Sequence, residues 1–387
     1  MNDAATLQTA VSLRREIHRW PELGGRETRT TALVARTLRR AGIVFRRARP
    51  TGGVGVITEG RGPCVALRAD MDALPLLEKT PSAFRSRTPG VMHACGHDAH
   101  TAMLLTAALR LKKEGLGVPG TVKFLFQPDE EGSHGAKALL AQGAFRRPAV
   151  DAVFGVHVNP RLRAGTLGVK PGPLMAAVDR FTLTVTGEGG HGAYPHEGID
   201  AVVLAAQVVT ALQTLVSRRT DPVEPVVLTV GTIHGGERFN ILPSSVTLTG
   251  TVRTLSEKTH AAMPGLIRRT AEGVVRGQGG RVDMNYEVLG RAVINDRAMA
   301  ALARRAAVET VGESRAVALE SPSMGGEDFS EYLRRAPGCF VYVGTGAEVR
   351  TRRPWHHASF TLHEPSMLPG VKFYMAVARR ALRELAR

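Results

Sequence analysis

The ten residues from Val91 to His100 read Val-Met-His-Ala-Cys-Gly-His-Asp-Ala-His and combine one thiol, three imidazoles and one carboxylate. The apolar segment that follows predicts a helix over residues 98–114. Cys95 and His97 flank Gly96, so a sulfur and an imidazole nitrogen can face one point, a ligand mixture that suits zinc and related metals. The alternative is a reduced cysteine beside a helix that Asp98 merely caps. A metal site is the first hypothesis.

Two carboxylates follow the β-like segment at residues 64–68, where the chain reads Arg-Ala-Asp-Met-Asp up to Asp72. The carboxyl ends of strands are where open α/β sheets build their sites. Asp70 and Asp72 are candidates for ligands, for partners of ligated imidazoles or for turn formers. We favour the second role, because a metal-bound imidazole commonly donates its other N–H group to a carboxylate.

Further candidates end two later strands, predicted over residues 121–126 and 152–158. Glu130 and Glu131 follow the first of these strands, where one carboxylate can ligate a metal while its neighbour acts as a general base; a solvated turn is the alternative. His157 lies near the end of the second strand. A single histidine in such a strand is more often a hydrogen-bonded core residue, but it is the third potential ligand at a strand end.

The pattern changes at about residue 177. Strands at 180–186, 226–233, 246–255 and 281–289 and helices at 198–218 and 256–277 follow the order β-α-β-β-α-β, which predicts a small split-βαβ domain. Helices and short strands then alternate again. We therefore predict an α/β catalytic domain of residues 1–176 and 289–387, interrupted by an inserted ferredoxin-like α+β domain of residues 177–288.

Composition limits the classes of function. The net charge of +16 could serve an acidic partner, but the arginines are scattered as helix-face pairs without interleaved aromatic residues, so neither nucleic acid nor membrane is expected as a partner. Three widely spaced cysteines favour a reducing compartment. The first residues lack the pattern of a signal peptide, and no apolar segment is expected to reach membrane-spanning length. The expected location is the cytoplasm.

The chain resembles the metal-dependent amidohydrolases that include hippurate hydrolase, bacterial aminoacylases, N-acetyldiaminopimelate deacetylase and plant auxin-conjugate hydrolases, which are relatives of the zinc carboxypeptidase superfamily. The resemblance lies in ordered segments along nearly the whole chain: residues 18–22, 67–75, 92–101, 127–132, 154–157, 189–196, 238–243, 250–253, 325–329 and 356–360. It implies a metallopeptidase-like hydrolase fold and cleavage of N-acyl amino acids, with acetyl, benzoyl or other acyl groups, to a carboxylic acid and an amino acid.

The resemblance also implies roles for individual residues. Two divalent metal ions, Zn²⁺ or Mn²⁺ with Co²⁺ or Ni²⁺ as further candidates, would be held by five ligands: Cys95, His97, Glu131, His157 and His356. Glu130 would be the general base, Asp72 and Asp98 would support the ligands, and His100 would lie nearby. In the inserted domain, His191 would reach the active site of its own or a partner subunit, and Asn240 and Arg253 would hold the substrate carboxylate. That domain would serve as a lid and as a dimer or tetramer contact.

The sequence departs from the family pattern near the motifs. Asp129 replaces a small residue, which predicts an extra negative charge at the entrance, and His134 and His357 add imidazoles beside the predicted ligands. The alternatives are a non-catalytic binding protein, which could lose Glu130, and a carboxypeptidase or dipeptidase, whose substrate has a free amine. Cys95, in place of a bridging carboxylate, resembles the amidohydrolase branch.

Overall fold

The computed structural model describes residues 2–386, which divide into two compact units. Of the described residues, unit 1 comprises those at 2–172, 294–321 and 328–386, and unit 2 comprises those at 173–293 and 322–327. Both units are therefore discontinuous in sequence, and the short segment 322–327 joins unit 2 although it follows the return of the chain to unit 1.

The helices of unit 1 are α1 (Asp3–Arg19), α2 (Thr28–Arg40), α3 (His97–Glu114), α4 (Gly135–Ala141), α7 (Arg297–Val311), α8 (Ser330–Leu333) and α9 (Met367–Leu385), and those of unit 2 are α5 (Ala201–Arg219) and α6 (Glu257–Arg276). Several of them begin at a residue whose side chain accepts a hydrogen bond from the first turn. Asn2 accepts from the backbone N–H of Ala5, and Asp296 accepts from that of Met299. These caps satisfy amide groups that the helix itself leaves without partners.

The strands of the large sheet are β1 (Val44–Arg47), β2 (Gly53–Glu59), β3 (Cys64–Asp70), β4 (Gly120–Gln127), β5 (Ala152–Arg163), β6 (Leu167–Val169), β15 (Ala316–Ala318) and β16 (Gly338–Gly346). Their order is β1-β2-β4-β3-β5-β16-β6-β15, and β3, β4, β5 and β16 form a parallel centre. Their carboxyl ends meet at one edge of the sheet, because neighbouring parallel strands run in the same direction. That edge carries Asp70 and Gln127, the last residues of β3 and β4, whereas His157, predicted near a strand end, lies midway along β5.

The buried core of unit 1 is centred on α3, which is enclosed along most of its length and contacts α1 and α9. Gly96, immediately before α3, has φ of +93°, and a β-carbon there would approach Cγ2 of Val158 to 2.5 Å. Only glycine fits both requirements. This close approach brings the first turn of α3 against the middle of β5.

Unit 2 contains β8 (Ala177–Thr186), β9 (Gly190–His191), β10 (Val226–His234), β11 (Ile241–Leu242), β12 (Ser245–Thr254) and β13 (Arg281–Gly290), while β7 (Gly172–Met175) and β14 (Val293–Asn295) lie at its ends in sequence. Its antiparallel sheet has the order β10-β12-β8-β13, and α5 and α6 pack on the apolar face. Alternate residues of β8, such as Phe181 and Leu183, are buried there. This is the arrangement of a ferredoxin-like sandwich.

The long elements predicted from periodicity are present, with helix α3 shifted by one residue and α5 by three. Short strands such as β1, β6 and β15 were not predicted, because three or four residues carry too little periodicity. The expectation about apolar segments was wrong: α5 is long and apolar enough to span a membrane by length and composition alone. A core helix of a soluble protein meets the same criterion, and one face of α5 is buried in unit 2.

Candidate metal centre

Five overlapping groups of possible metal ligands occur among residues 2–386, and three of them together contain the predicted ligands. Each group offers ligand atoms that lie within 4.8 Å of one another. The three groups are Cys95, His97 and His157; Cys95, Glu131 and His356; and His97, Glu130 and Glu131. All five ligands predicted from the sequence are thus brought together, and Cys95 belongs to two groups.

The first group joins the start of α3 to β5. The Sγ atom of Cys95 lies 3.4 Å from Nε2 of His157, and both side chains are buried. The Nδ1 atom of His157 donates to the backbone carbonyl of Val158 at 2.8 Å, so Nε2 keeps its lone pair toward the cluster. His157 therefore presents the tautomer that a metal ligand needs.

The second group joins the loop after β4 to the loop after β16. The Nε2 atom of His356 lies 3.2 Å from Oε1 of Glu131. His356 has φ of +62°, an uncommon conformation for a side chain of this size, and its backbone N–H donates to the carbonyl of Ala94 at 2.9 Å. The backbone is thus held in a strained conformation that aims this imidazole at Glu131, as functional sites often require.

His97 belongs to two of these three groups, and the contacts of its two ring nitrogens test whether a cation fits the site. Its Nδ1 atom lies 3.1 Å from Oδ1 of Asp72, whose other oxygen accepts from the backbone N–H of Glu131 at 2.9 Å. The Nε2 atom of His97 is buried and has no hydrogen-bond partner among residues 2–386, with Oδ2 of Asp70 3.6 Å away. A buried imidazole nitrogen without a partner is costly, whereas a metal ion would satisfy it. The donor set of sulfur, nitrogen and oxygen matches that use.

The electrostatics of the cluster favour a cation. Hydrogen bonds to Cys95 and Glu131 raise the pKa of His356 to about 10, although this side chain is about half exposed. Burial and the nearby Glu131 carboxylate also raise the pKa of the Cys95 thiol. Both shifts reflect negative charge concentrated in a poorly solvated place, and a divalent cation would neutralise that charge and stabilise the thiolate.

Glu130 lies beside the ligands. Its Oε2 atom is 4.0 Å from Nε2 of His97, and the side chain is mostly buried. It follows Asp129, which has φ of +50° and whose backbone N–H donates to Glu27. The turn after β4 thus directs two successive glutamates into the same cluster, where the sequence predicts a ligand beside a general base.

Asp98 has different partners from those expected of a residue that supports a ligand. Among residues 2–386 its hydrogen bonds come from Nε of Arg14 at 3.0 Å and Nδ1 of His18 at 2.8 Å, both on α1. Burial would raise the pKa of Asp98, but Arg14 and His18 outweigh it and hold this pKa far below its ordinary range. Asp98 therefore anchors α1 to the start of α3. The sequence placed His18 only in a segment of the family resemblance, residues 18–22, and did not show which element it faces.

The departures from the family pattern lie outside the three groups. The Asp129 carboxylate is half-buried and packs so closely over Gly24 and Gly132 that a β-carbon on either would approach it within 2.5 Å. Burial, and then the Asp72 charge, raise its pKa. His134 is exposed, and Nδ1 of His357 accepts from the backbone N–H of Ser359. The closeness of Asp129 to two glycines could not be read from sequence spacing.

Within unit 2, the segments of His191 and Asn240 meet. His191 pairs with Ile241 between β9 and β11, and the backbone N–H of Gly192 donates to the carbonyl of Asn240 at 2.8 Å. Arg253 is half-buried on β12, where burial lowers its pKa more than the Asp179 charge raises it, and it forms no ion pair within residues 2–386. A poorly solvated guanidinium without a carboxylate partner is suited to an anionic ligand.

The fold and the ligand groups together define an α/β metallohydrolase. Residues 66–380 match the description "Peptidase family M20/M25/M40". The chain belongs to this family, and its predicted class, a hydrolase acting on amide bonds, is confirmed.

Individual relatives cover nearly the whole chain. An N-acetyl-L-cysteine deacetylase of Bacillus subtilis is 38% identical over 96% of this chain and 88% of its own. An IAA-amino acid hydrolase of Arabidopsis thaliana is 38% identical over 97% of this chain and 86% of its own. Among solved structures, a dinuclear metal-binding peptidase of the M20 family from Bacillus subtilis is 34% identical, with a TM-score of 0.87 over 98% of this chain and 99% of that one.

Proposed function

We propose that this protein is a two-metal amidohydrolase that cleaves N-acyl amino acids to a carboxylic acid and a free amino acid. The observation that carries the proposal is the sharing of Cys95 between two ligand groups, with Glu130 in a third that overlaps both. A shared sulfur suits two neighbouring ions better than one. The named deacetylase and amino acid hydrolase relatives support the class of substrate.

His97 and His157 would hold one ion and Glu131 and His356 the other, with Cys95 available to both. Zn²⁺ and Mn²⁺ are the first candidates, and Co²⁺ and Ni²⁺ also suit this ligand set. When bound, such ions polarise an amide carbonyl and lower the pKa of water. Asp72 fixes His97 through Nδ1, which leaves Nε2 directed away from Asp72 for binding.

Glu130 is proposed as the general base. It takes a proton from the attacking water and delivers it to the nitrogen of the leaving amine, so the carboxylate is regenerated in each cycle. Burial on the edge of the cluster keeps it poorly solvated, while the adjacent Glu131 acts as a ligand. Two adjacent glutamates thus divide the roles of base and ligand.

Unit 2 is proposed to bind the substrate. Arg253 offers two parallel N–H donors to a carboxylate, and Asn240 adds an amide donor. His191 would donate to the oxygen that becomes negative as the carbonyl is attacked. Arg253 forms no ion pair among the described residues, and only the Asp179 charge acts to raise its pKa, which leaves its guanidinium available for this role.

A second copy of the chain is the proposed partner of unit 2, which would act as both lid and dimer contact. The two edges of its sheet differ: β13 carries Arg281, Asp283 and Glu287, whereas β10 has no Asp, Glu, Lys or Arg. An uncharged edge strand readily pairs with another strand. Light scattering should show a dimer or a larger even oligomer, and Thr232→Lys on β10 should favour the monomer. We also propose a cytoplasmic location.

The direct test is amino acid release from N-acetyl, N-benzoyl and indoleacyl amino acids by protein stripped with a chelator and reloaded with Mn²⁺ or Zn²⁺. We expect release only after reloading. Cleavage of simple dipeptides without release from any acyl substrate would instead indicate a peptidase. Failure on both groups of substrates with every metal would contradict catalysis and favour a binding protein.

A further inference from the structure

The backbone of Val158 is held by three aromatic side chains beside the metal centre. Its carbonyl accepts from Nδ1 of His157 at 2.8 Å and from Nε1 of Trp355 at 2.9 Å. Its N–H donates to Nε2 of His100 at 2.8 Å. Pairing between β3 and β5 ends at Gly155, so within the described part of the chain no strand on that side of β5 supplies these partners. Side chains therefore take the place of a neighbouring strand, as buried backbone groups require.

His100 has one possible neutral arrangement in this setting. Because the Val158 N–H can only donate, Nε2 of His100 must accept, and the ring proton is on Nδ1. Nδ1 donates to Oδ1 of Asp70 at 2.6 Å. Both ring nitrogens are thus engaged, and His100 cannot also bind a metal through either of them, although it lies close to His97.

The Asp70 carboxylate is itself held in place by a second buried side chain. Its Oδ2 atom accepts from Nη1 of Arg68 at 2.8 Å, and both side chains are fully buried. Arg68 in turn donates through Nε to Gln127, and its backbone carbonyl accepts from the hydroxyl of Tyr374. The carboxylate that orients His100 therefore has little freedom to move.

From these contacts we infer that His100, held by Asp70, is a positioning residue for the metal centre and acts through the backbone of Val158. Asp70 also faces the centre directly, because its Oδ2 atom lies 3.6 Å from Nε2 of His97. The Val158 backbone fixes the ring of His157 and also Trp355, the residue that precedes His356. One hydrogen-bonded chain, Arg68-Asp70-His100-Val158, thus supports a proposed ligand from each of two separate elements. The inference rests on the metal centre of the proposed function.

The test compares substitutions that each keep one half of the His100 contacts. His100→Asn can still donate to Asp70 from the position of Nδ1 but cannot reach the Val158 N–H, whereas His100→Gln can place an acceptor near the position of Nε2. Co²⁺ affinity would be measured against a competing chelator, together with the visible absorption bands of the Co²⁺ protein. These bands report ligand geometry, which a general loss of stability would not shift.

We expect His100→Asn to lower Co²⁺ affinity by about 10- to 100-fold and to alter the bands, in line with other residues that support metal ligands. His100→Gln should lie closer to the wild type. Asp70→Asn, which keeps an acceptor for His100 without its charge, should show an intermediate loss and covers the case in which His100→Asn does not fold. The control is His260→Gln, which removes a buried imidazole of unit 2 that pairs with Asp179.

A folded His100→Asn protein with wild-type Co²⁺ affinity and absorption bands would overturn the inference. The same holds if His260→Gln changes the bands as much as His100→Asn does. If the wild-type protein itself bound no Co²⁺, both the inference and the proposed metal centre would fail. That result differs from one in which the wild type binds Co²⁺ normally and His100→Asn changes nothing, which would overturn the inference alone.

Discussion

Arg14 and Arg15 are adjacent on α1 and share Glu364, but they differ in burial. Arg14 is 1% exposed and contacts both Asp98 and Glu364 at 3.0 Å, whereas Arg15 is 48% exposed and contacts Glu364 at 2.6 Å. We predict that Arg14→Met destabilises the protein far more than Arg15→Met. The two substitutions remove the same charge from the same helix, so their comparison reports burial together with the buried Asp98 contact, which only Arg14 makes.

The magnitude follows from the Arg14–Asp98 contact. Two unit charges 3.0 Å apart interact by about 5.5 kcal/mol at an effective dielectric constant of about 20. Removing one partner of a buried pair costs about 3–5 kcal/mol, because the other charge stays buried. His18 still donates to Asp98 in the variant, which places Arg14→Met near the lower value. Arg15→Met should cost no more than about 1 kcal/mol.

Urea unfolding followed by tryptophan fluorescence measures this difference. Both tryptophans of the chain, Trp20 and Trp355, lie in unit 1 with the pair, so the signal reports the unit that the substitution affects. A free energy of unfolding for Arg14→Met within 1 kcal/mol of that for Arg15→Met would refute the reasoning, since burial would then have no effect on the cost.

Burial lowers the pKa of His18, but Asp98 and Glu78 outweigh it and raise that pKa above its ordinary value. Protonated His18 therefore stabilises the folded protein fully below about pH 6.5, and this stabilisation is lost as pH rises through the raised pKa. His18→Gln should therefore be most destabilising near pH 6 and progressively less so up to pH 9 in urea unfolding; a constant difference would contradict this. Arg253→Lys should raise KM for N-acyl amino acids by about 10- to 100-fold with a smaller change in kcat, as steady-state kinetics would show, because a bidentate contact is lost. Gly96→Ala should destabilise the protein by about 1–3 kcal/mol through its positive φ and its contact with Val158, and wild-type stability would disprove it.

Much of the fold could be predicted because the long elements carry clear periodicity. The continuous apolar segment of α3 and the alternation in β8 mark the elements directly. The short strands and the boundaries of unit 2 depend on contacts far apart in sequence. For example, segment 322–327 belongs to unit 2 through contacts such as the hydrogen bond from Ala176 N–H to Gly325.

The site was predictable to the extent that its residues form dense local motifs. Cys95 and His97 are two residues apart, and Glu130 and Glu131 are adjacent, so chemistry and spacing reveal them together. The partners that orient them come from distant elements: Arg14 reaches Asp98 across 84 positions. No spacing rule connects such residues, and for that reason the role of Asp98 and the arrangement of His100 emerged only from the three-dimensional contacts.

The central claim is that two adjacent glutamates have different roles: Glu131 is a metal ligand and Glu130 is the general base. The most direct measurement is kcat and metal content of Glu130→Gln, with Asp129→Asn, one residue away and outside the three ligand groups, as the matched control. We expect Glu130→Gln to keep its metal but to lose kcat by about 10²- to 10⁴-fold, while Asp129→Asn stays near the wild type. A Glu130→Gln protein with full metal content and near-normal kcat would contradict the account.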